Sequence, residues 1–203
     1  MSDFKFLKIR TEKTPIAFLL AWYIARENYV IARVSFQQGM IYPSCLLAEQ
    51  SVEMLVKAIL HLDQKSKDIH YLPDLLKRRR ATIAYFDLLL NDERLRVFIE
   101  NLSVAYGRMR FGEVGFDINP KEMCQALDEV VYNLDKLYQS QSQPHVVQRA
   151  RAVQKDGTTT TSYERQKPLL YVPAIMKQTF LQDNKYFGES DISDSLMARL
   201  PLP

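Results

Sequence analysis

Glycine is scarce in this chain, with 6 in 203 residues, well under the ~7% usual for globular proteins. So few glycines leave little room for tight hairpins or phosphate-cradling loops, and the reading tilts toward helices. Cysteine is scarcer still. Cys45 and Cys124 are far apart and lack a CxxC spacing, which excludes a disulfide scaffold and a zinc ribbon and fits a reduced, cytoplasmic setting. Long apolar runs are missing as well. The longest near the start, Pro15 to Ile24, stops at Arg26–Glu27–Asn28, too short to span a bilayer, and Met1–Lys8 has no signal-peptide core. The expectation is a soluble protein with no membrane contact. An excess of one charge is also absent. Lys+Arg is 27 and Asp+Glu is 24, too even to imply nucleic acid by itself. No GxSxG, HExxH or GxxxxGK[ST] occurs, and the histidines are only His61, His70 and His145. Neither a metal nor a cofactor is expected.

What the chain does have is helical periodicity. Trp22, Ala25, Tyr29, Ala32 and Phe36 recur at spacings of three and four over residues 19–38, with Gly39 as the stop signal. Trp22 and Tyr29 read as core. Residues 43–62 carry a second stripe, Ala48, Val52, Leu55, Ile59 and Leu62, beside a polar one made of Glu49, Glu53, Lys57 and His61. Pro43 suits the first helical position. A third helix is predicted from Pro73 through Leu90, and a fourth after Asn91–Asp92–Glu93 with Leu95, Phe98, Ile99, Leu102 and Ala105 on its apolar face. Residues 111–118 read as loop. Asn119–Pro120–Lys121–Glu122 is a helix start, with Asn as cap and Pro at the first turn, and the apolar pattern then runs to about Tyr138.

Composition changes near residue 139. Gln139–Ser140–Gln141–Ser142–Gln143–Pro144 and Gly157 through Ser162 are polar and low in complexity, too poor in apolar groups to offset chain entropy. Between them Val146, Ala150 and Val153 suggest a short helix carrying Arg149 and Arg151. Apolar residues return after Pro168, with a short amphipathic helix predicted from Pro173 to about Leu181 and a tail bearing Leu196, Met197 and Leu200. The expected organisation is an all-α chain. Residues 1–138 form an antiparallel bundle of four or five helices, 139–167 a flexible polar linker, and 168–203 an extended C-terminal docking arm.

The sequence Ala25…Tyr29…Ala32…Gly39, followed by Ala48–Glu49–Gln50–Ser51–Val52–Glu53…Lys57–Ala58…Leu60, resembles the first two helices of the HEPN family. This is a group of small helical-bundle domains found in prokaryotic defence and toxin systems and in nucleotidyltransferase partner subunits. His70–Tyr71–Leu72–Pro73–Asp74–Leu75–Leu76 is similar to the start of that family's third helix, and Tyr106–Gly107–Arg108–Met109–Arg110–Phe111 to the close of its fourth. The resemblance covers residues 20–138. Its ribonuclease members carry R-x(4–6)-H. Counting back from each histidine here reaches Met54–Leu55–Val56, Asp63–Gln64–Lys65 and Tyr138–Gln139–Ser140, with no arginine among them.

Candidate residues follow from the pattern and from the resemblance. Arg108 and Arg110, behind Tyr106, are either helix-end cations complementing the dipole or a phosphate-binding pair. Gln50, Glu53 and Lys57 are either a solvated stripe or the lining of a groove or dimer contact, and His70 either caps a loop or joins the site. Lys77–Arg78–Arg79–Arg80 forms a basic patch that is either a solvated face or a contact for nucleic-acid phosphates. Leu170, Tyr171, Ile175, Met176 and Phe180 are too apolar for a solvated tail and are expected to dock, on the bundle or on a protein partner. The expected function is a non-catalytic binding and assembly module in a defence or toxin–antitoxin-like setting. It would be homodimeric, with a protein partner for the arm and RNA or nucleotide in the groove. The alternatives are a metal-independent ribonuclease with an atypical site, or the substrate-binding subunit of a two-component nucleotidyltransferase.

Overall fold

The computed structural model describes residues 15–60, 71–77, 80–81, 83–110, 118–141, 148–155, 158–165 and 169–195. Four long helices dominate: α1 (Pro15–Gln37), α2 (Ile41–Ile59), α5 (Glu93–Arg110) and α6 (Pro120–Gln141). Two short ones, α3 (Leu72–Lys77) and α4 (Ala84–Asn91), lie between α2 and α5 in the chain. The fold is an all-α bundle with few strands. Trp22 and Tyr29 are core, as the apolar stripe predicts.

Local chemistry explains the helix ends. Gly39 takes a left-handed φ of +76°, which glycine adopts without a Cβ penalty. The Met40 N–H then donates back to the Ser35 carbonyl, closing α1. Pro43 sits at the third position of α2 instead of the first. It costs nothing there either, because the first four N–H groups of a helix lack intrahelical partners. Asp92 Oδ1 accepts from the Leu95 N–H at 2.9 Å, and Asn119 Oδ1 from the Lys121 N–H at 3.1 Å, capping α5 and α6.

The predicted third helix is in fact two. α3 ends at Lys77, and Ile83 ahead of α4 is extended at φ −128°, ψ 98°, so one helix does not run through. The polar stretch also differs from the expected linker. Gln139 to Gln141 continue α6. Gln148–Lys155 (β1) and Thr158–Arg165 (β2) then pair antiparallel, where a short helix was predicted. Residues 150 and 153 are spaced for a helix, but the Thr run at the start of the partner strand is β-branched and favours extended backbone.

Beyond the hairpin, Leu170–Tyr171 (β3) pairs parallel with Ile192–Ser193 (β4). Between them lie two 3₁₀ turns, Ala174–Met176 and Glu189–Asp191, and the short helix α7 (Lys177–Leu181). This segment packs on its own bundle. Leu170, Val172, Phe180, Phe187 and Ile192 are buried in the same core as the helices. Phe187 meets Tyr29 at 5.4 Å and Tyr132 at 5.3 Å between ring centroids, and Phe180 meets Tyr29 edge-on at 5.6 Å. Leu196, Met197 and Leu200 lie outside the described residues. No described helix is long and apolar enough to cross a membrane.

Candidate functional site

α2 is the central helix, packed by α1, α5 and α6. Its polar side is therefore not solvated. Glu49, Glu53 and Lys57 are all buried, which corrects the solvated-stripe expectation. The Lys57 ammonium donates to the Glu53 carboxylate one turn away. Glu49, one turn before Glu53, is fully buried, and neither of its oxygens has a hydrogen-bond partner. Burial, reinforced by the Glu53 charge and only partly opposed by Lys57, raises its carboxyl to about 8. Gln50 is half-buried.

A second polar array joins α1 to α6. Trp22 Nε1 donates to Asp135 Oδ1 at 2.5 Å, and Gln139 Nε2 to Asp135 Oδ2 at 2.8 Å. Arg26 lies 3.6 Å from the same carboxylate and 4.5 Å from the Trp22 ring centroid. Two turns along, Asp128 accepts from Arg33 Nε and from the Tyr29 hydroxyl, each at 2.8 Å. The order of these pairs makes α1 and α6 antiparallel. Burial pushes Asp128 up to about 6, against the pull of the Arg33 charge and of the hydrogen bonds from Arg33 and Tyr29.

Arg33 also holds the C-terminal segment. Its Nη2 donates to the Gln182 carbonyl at 2.8 Å and its Nη1 to the Thr179 carbonyl at 3.3 Å, while Asn184 Nδ2 donates to the Tyr29 hydroxyl at 3.2 Å. A guanidinium at the end of α7 satisfies carbonyls that the short helix leaves open. The turn closes at Asp183, whose φ is +56°, a conformation that aspartate tolerates better than most residues.

The other candidates are dispersed. Tyr106 is half-buried on α5. Arg108 and Arg110 lie in its last turn, and their side chains are outside the described part. His70, Arg78 and Arg79 are outside the described residues. Lys77 is exposed and pairs with Asp74 at 3.4 Å, and Arg80 is exposed. In the arm, Leu170 and Phe180 are buried against the bundle, which removes them from a partner-facing role. Tyr171 and Met176 are half-buried, and Ile175 is 90% exposed.

Two of the concavities among the described residues lie beside these arrays or at the helix starts. One of about 260 Å³ lies beside the Arg33–Asp128 pair, bordered by Gln37, Asn119, Lys121 and Cys124. A wider one of about 810 Å³ runs between the starts of α5 and α6, with Asp92, Glu93 and Glu122 at its rim. Burial raises Cys45 to about 11 and Cys124 to about 12, so neither offers a thiolate near neutral pH. Among the described residues no group of His, Cys, Asp and Glu could hold a metal ion.

Arg26, Arg33, Asp128 and Asp135 were not legible as buried partners from apolar periodicity. A signal was present all the same. Arg26 and Arg33 stand seven apart on the stripe of Trp22, Tyr29 and Phe36, and Asp128 and Asp135 stand seven apart beside Leu127 and Leu134. Opposite charges repeating in the same register on two helices point to interhelical pairing.

Residues 20–136 match the family model described as HEPN domain. No curated protein and no solved structure matched the chain.

Proposed function

We infer, from a chain that belongs to the HEPN domain family, that this protein is a non-catalytic binding and assembly module that works as a homodimer. One observation carries the reading. Helical spacing puts Leu20, Ile24 and Ile31 on one stripe of α1, and Leu47, Gln50 and Met54 on one stripe of α2. The Ser51 hydroxyl donates to the Ala25 carbonyl across the hairpin at 2.8 Å, and in that register both stripes fall on the same side. Leu20 is 45% and Ile31 42% exposed, with Ile24, Leu47 and Met54 half-buried. A continuous apolar face of this kind marks an interface, and a two-fold self-pairing is the commonest way to cover one.

The arm spends its apolar residues on its own bundle. In this reading Ile175 is the group that a protein partner meets there. Tyr106, Arg108 and Arg110 at the end of α5 are the phosphate-facing group for RNA or nucleotide, because a guanidinium forks onto phosphate oxygens. The missing R-x(4–6)-H pair supports binding without cleavage. General acid–base help is worth about 10²–10⁴ in rate, and no histidine stands at the required spacing. The defence or toxin–antitoxin-like setting is carried over from the family.

Sedimentation at tens of micromolar tests the assembly. A dimer is expected for the natural chain, and a folded monomer for Ile31→Glu. A monomeric natural chain refutes the reading. Metal-free incubation is expected to leave structured and unstructured RNA intact. Cleavage lost in Arg110→Ala would make the protein a nuclease instead.

A further inference from the structure

α5 leaves an apolar stripe uncovered. Val97, Asn101 and Val104 recur at spacings of four and three, which puts them on one side of the helix. Val97 is 41% and Val104 42% exposed, while Leu95, Ile99 and Leu102 turn into the core. Val97 and Asn101 also line the wider concavity, the groove of about 810 Å³ between the starts of α5 and α6. Buried Phe98, Met123 and Ala126 floor this groove, with Ile118 half-buried beside them. Stripe and groove therefore make one surface, which follows α5 for about 16 Å from Glu93 to Val104, or three helical turns.

The rim of this surface is acidic. Asp92, Glu93 and Glu122 border the groove, and Glu93 and Glu122 are exposed. Among the lining residues the only cation is Arg94, and it is paired with Glu129 on α6. Carboxylates in a first turn also complement a helix dipole, and two helices start here. About half a positive charge at each start still leaves the three rim carboxylates in excess. The whole chain is by contrast slightly basic, at +3, so the acidity is a local property of this groove.

We propose that the groove between α5 and α6 docks a basic amphipathic helix of a partner protein. Charge complementarity selects the occupant. Lysines or arginines flanking an apolar seam would meet Asp92, Glu93 and Glu122, while the seam itself covers Val97 and Val104. A helix matches the surface because its own side chains recur at the same three-and-four spacing as the stripe on α5. Asn101, half-buried between the two valines, gives the contact one polar position, which favours a single register. A nucleic acid fits less well, since the rim carboxylates repel phosphate. The surface shares no residue with the α1–α2 face proposed for self-pairing, nor with Ile175 or the end of α5, so it stands or falls separately from the function proposed above.

The test is fluorescence anisotropy of the full chain with three labelled peptides, each three heptads long. The first has leucine along one seam, lysine on either side of it and alanine elsewhere. The second replaces its lysines with glutamate. The third keeps the composition of the first but spreads the leucines around the helix. The first is expected to bind at least tenfold more tightly than either of the others. Val97→Gln/Val104→Gln removes the apolar stripe at exposed positions and should weaken binding of the first peptide about tenfold or more, the effect of losing central apolar contacts. Glu93→Gln/Glu122→Gln should weaken it as well and reduce its dependence on salt, as rim charges do. Ile175→Gln, an equal change on the distant arm, should bind like the natural chain. All variants should melt like the natural chain. No binding of the first peptide, equal binding of the glutamate or scrambled peptide, or affinity unchanged by both groove variants would overturn the proposal. Sedimentation of Val97→Gln/Val104→Gln adds one more arm: a natural dimer that this variant alone dissociates would overturn it too and assign the surface to a second copy of the chain.

Discussion

A carboxyl group buried without a partner weakens folding unless it keeps its proton, and Glu49 is such a group. Its carboxyl is raised from an ordinary 4.5 to about 8, by burial first and the Glu53 charge second. Between those values the unfolded chain has lost the proton while the folded chain still holds it. The stability associated with Glu49 is therefore fully present below about pH 4.5 and is lost as pH rises toward 8. Glu49→Gln keeps the shape and removes the titration. The variant should match the natural chain near pH 4.5 and exceed it by about 2–4 kcal/mol between pH 7 and 8. Denaturant melts at pH 4.5, 6 and 7.5 check this, and parallel curves for the two proteins would sink it. The residue's burial was not readable from its spacing. Glu49, Glu53 and Lys57 follow the i, i+4 rule of an exposed helix face. What hides them is packing of α2 on several sides at once, and a single helix's pattern does not record how many neighbours it has.

Elements whose signals are local were legible, and those defined by partners were not. Asn119 and Asp92 cap their helices as their positions predict, because a cap needs only three or four consecutive residues. Gly39 ends α1 for the same reason. The hairpin was missed although its connection, Asp156–Gly157, is a strong two-residue turn signal. Its threonines do not register in an apolar-alternation reading. Arg33 shows the other limit. It is 1% exposed and ties α1 to both α6 and α7, contacts that run between distant parts of the chain. Arg33→Met should leave Asp128 buried beside Tyr29 without its cation and free the Thr179 and Gln182 carbonyls. Breaking a buried pair from one side typically costs about 3–5 kcal/mol. The loss should appear locally, as faster amide exchange over residues 170–193 with α2 still protected. Unchanged exchange in that segment would mean that its aromatic contacts alone hold it.

At the scale of the whole molecule, the bundle and the segment after residue 168 share one core, although the sequence separates them with a polar stretch. The helices have their own contacts: α1 on α2, and α2 on α5 and α6. A chain ending at Gln141 should therefore still fold. It would nonetheless expose Tyr29 and Tyr132, which now pack against Phe180 and Phe187, and would open the Arg33–Asp128 pair to water. Losing five buried apolar side chains removes a large favourable contribution, partly offset because their segment no longer has to be ordered. The expected result is a cooperative thermal transition with a midpoint lower by about 5–15 °C, the shift that a few kcal/mol produces in a domain of this size. An unchanged midpoint would show that the segment only rests on the bundle. A broad, non-cooperative melt would show that the helices never formed an autonomous domain, and that residues 170–193 are as much a part of it as α1.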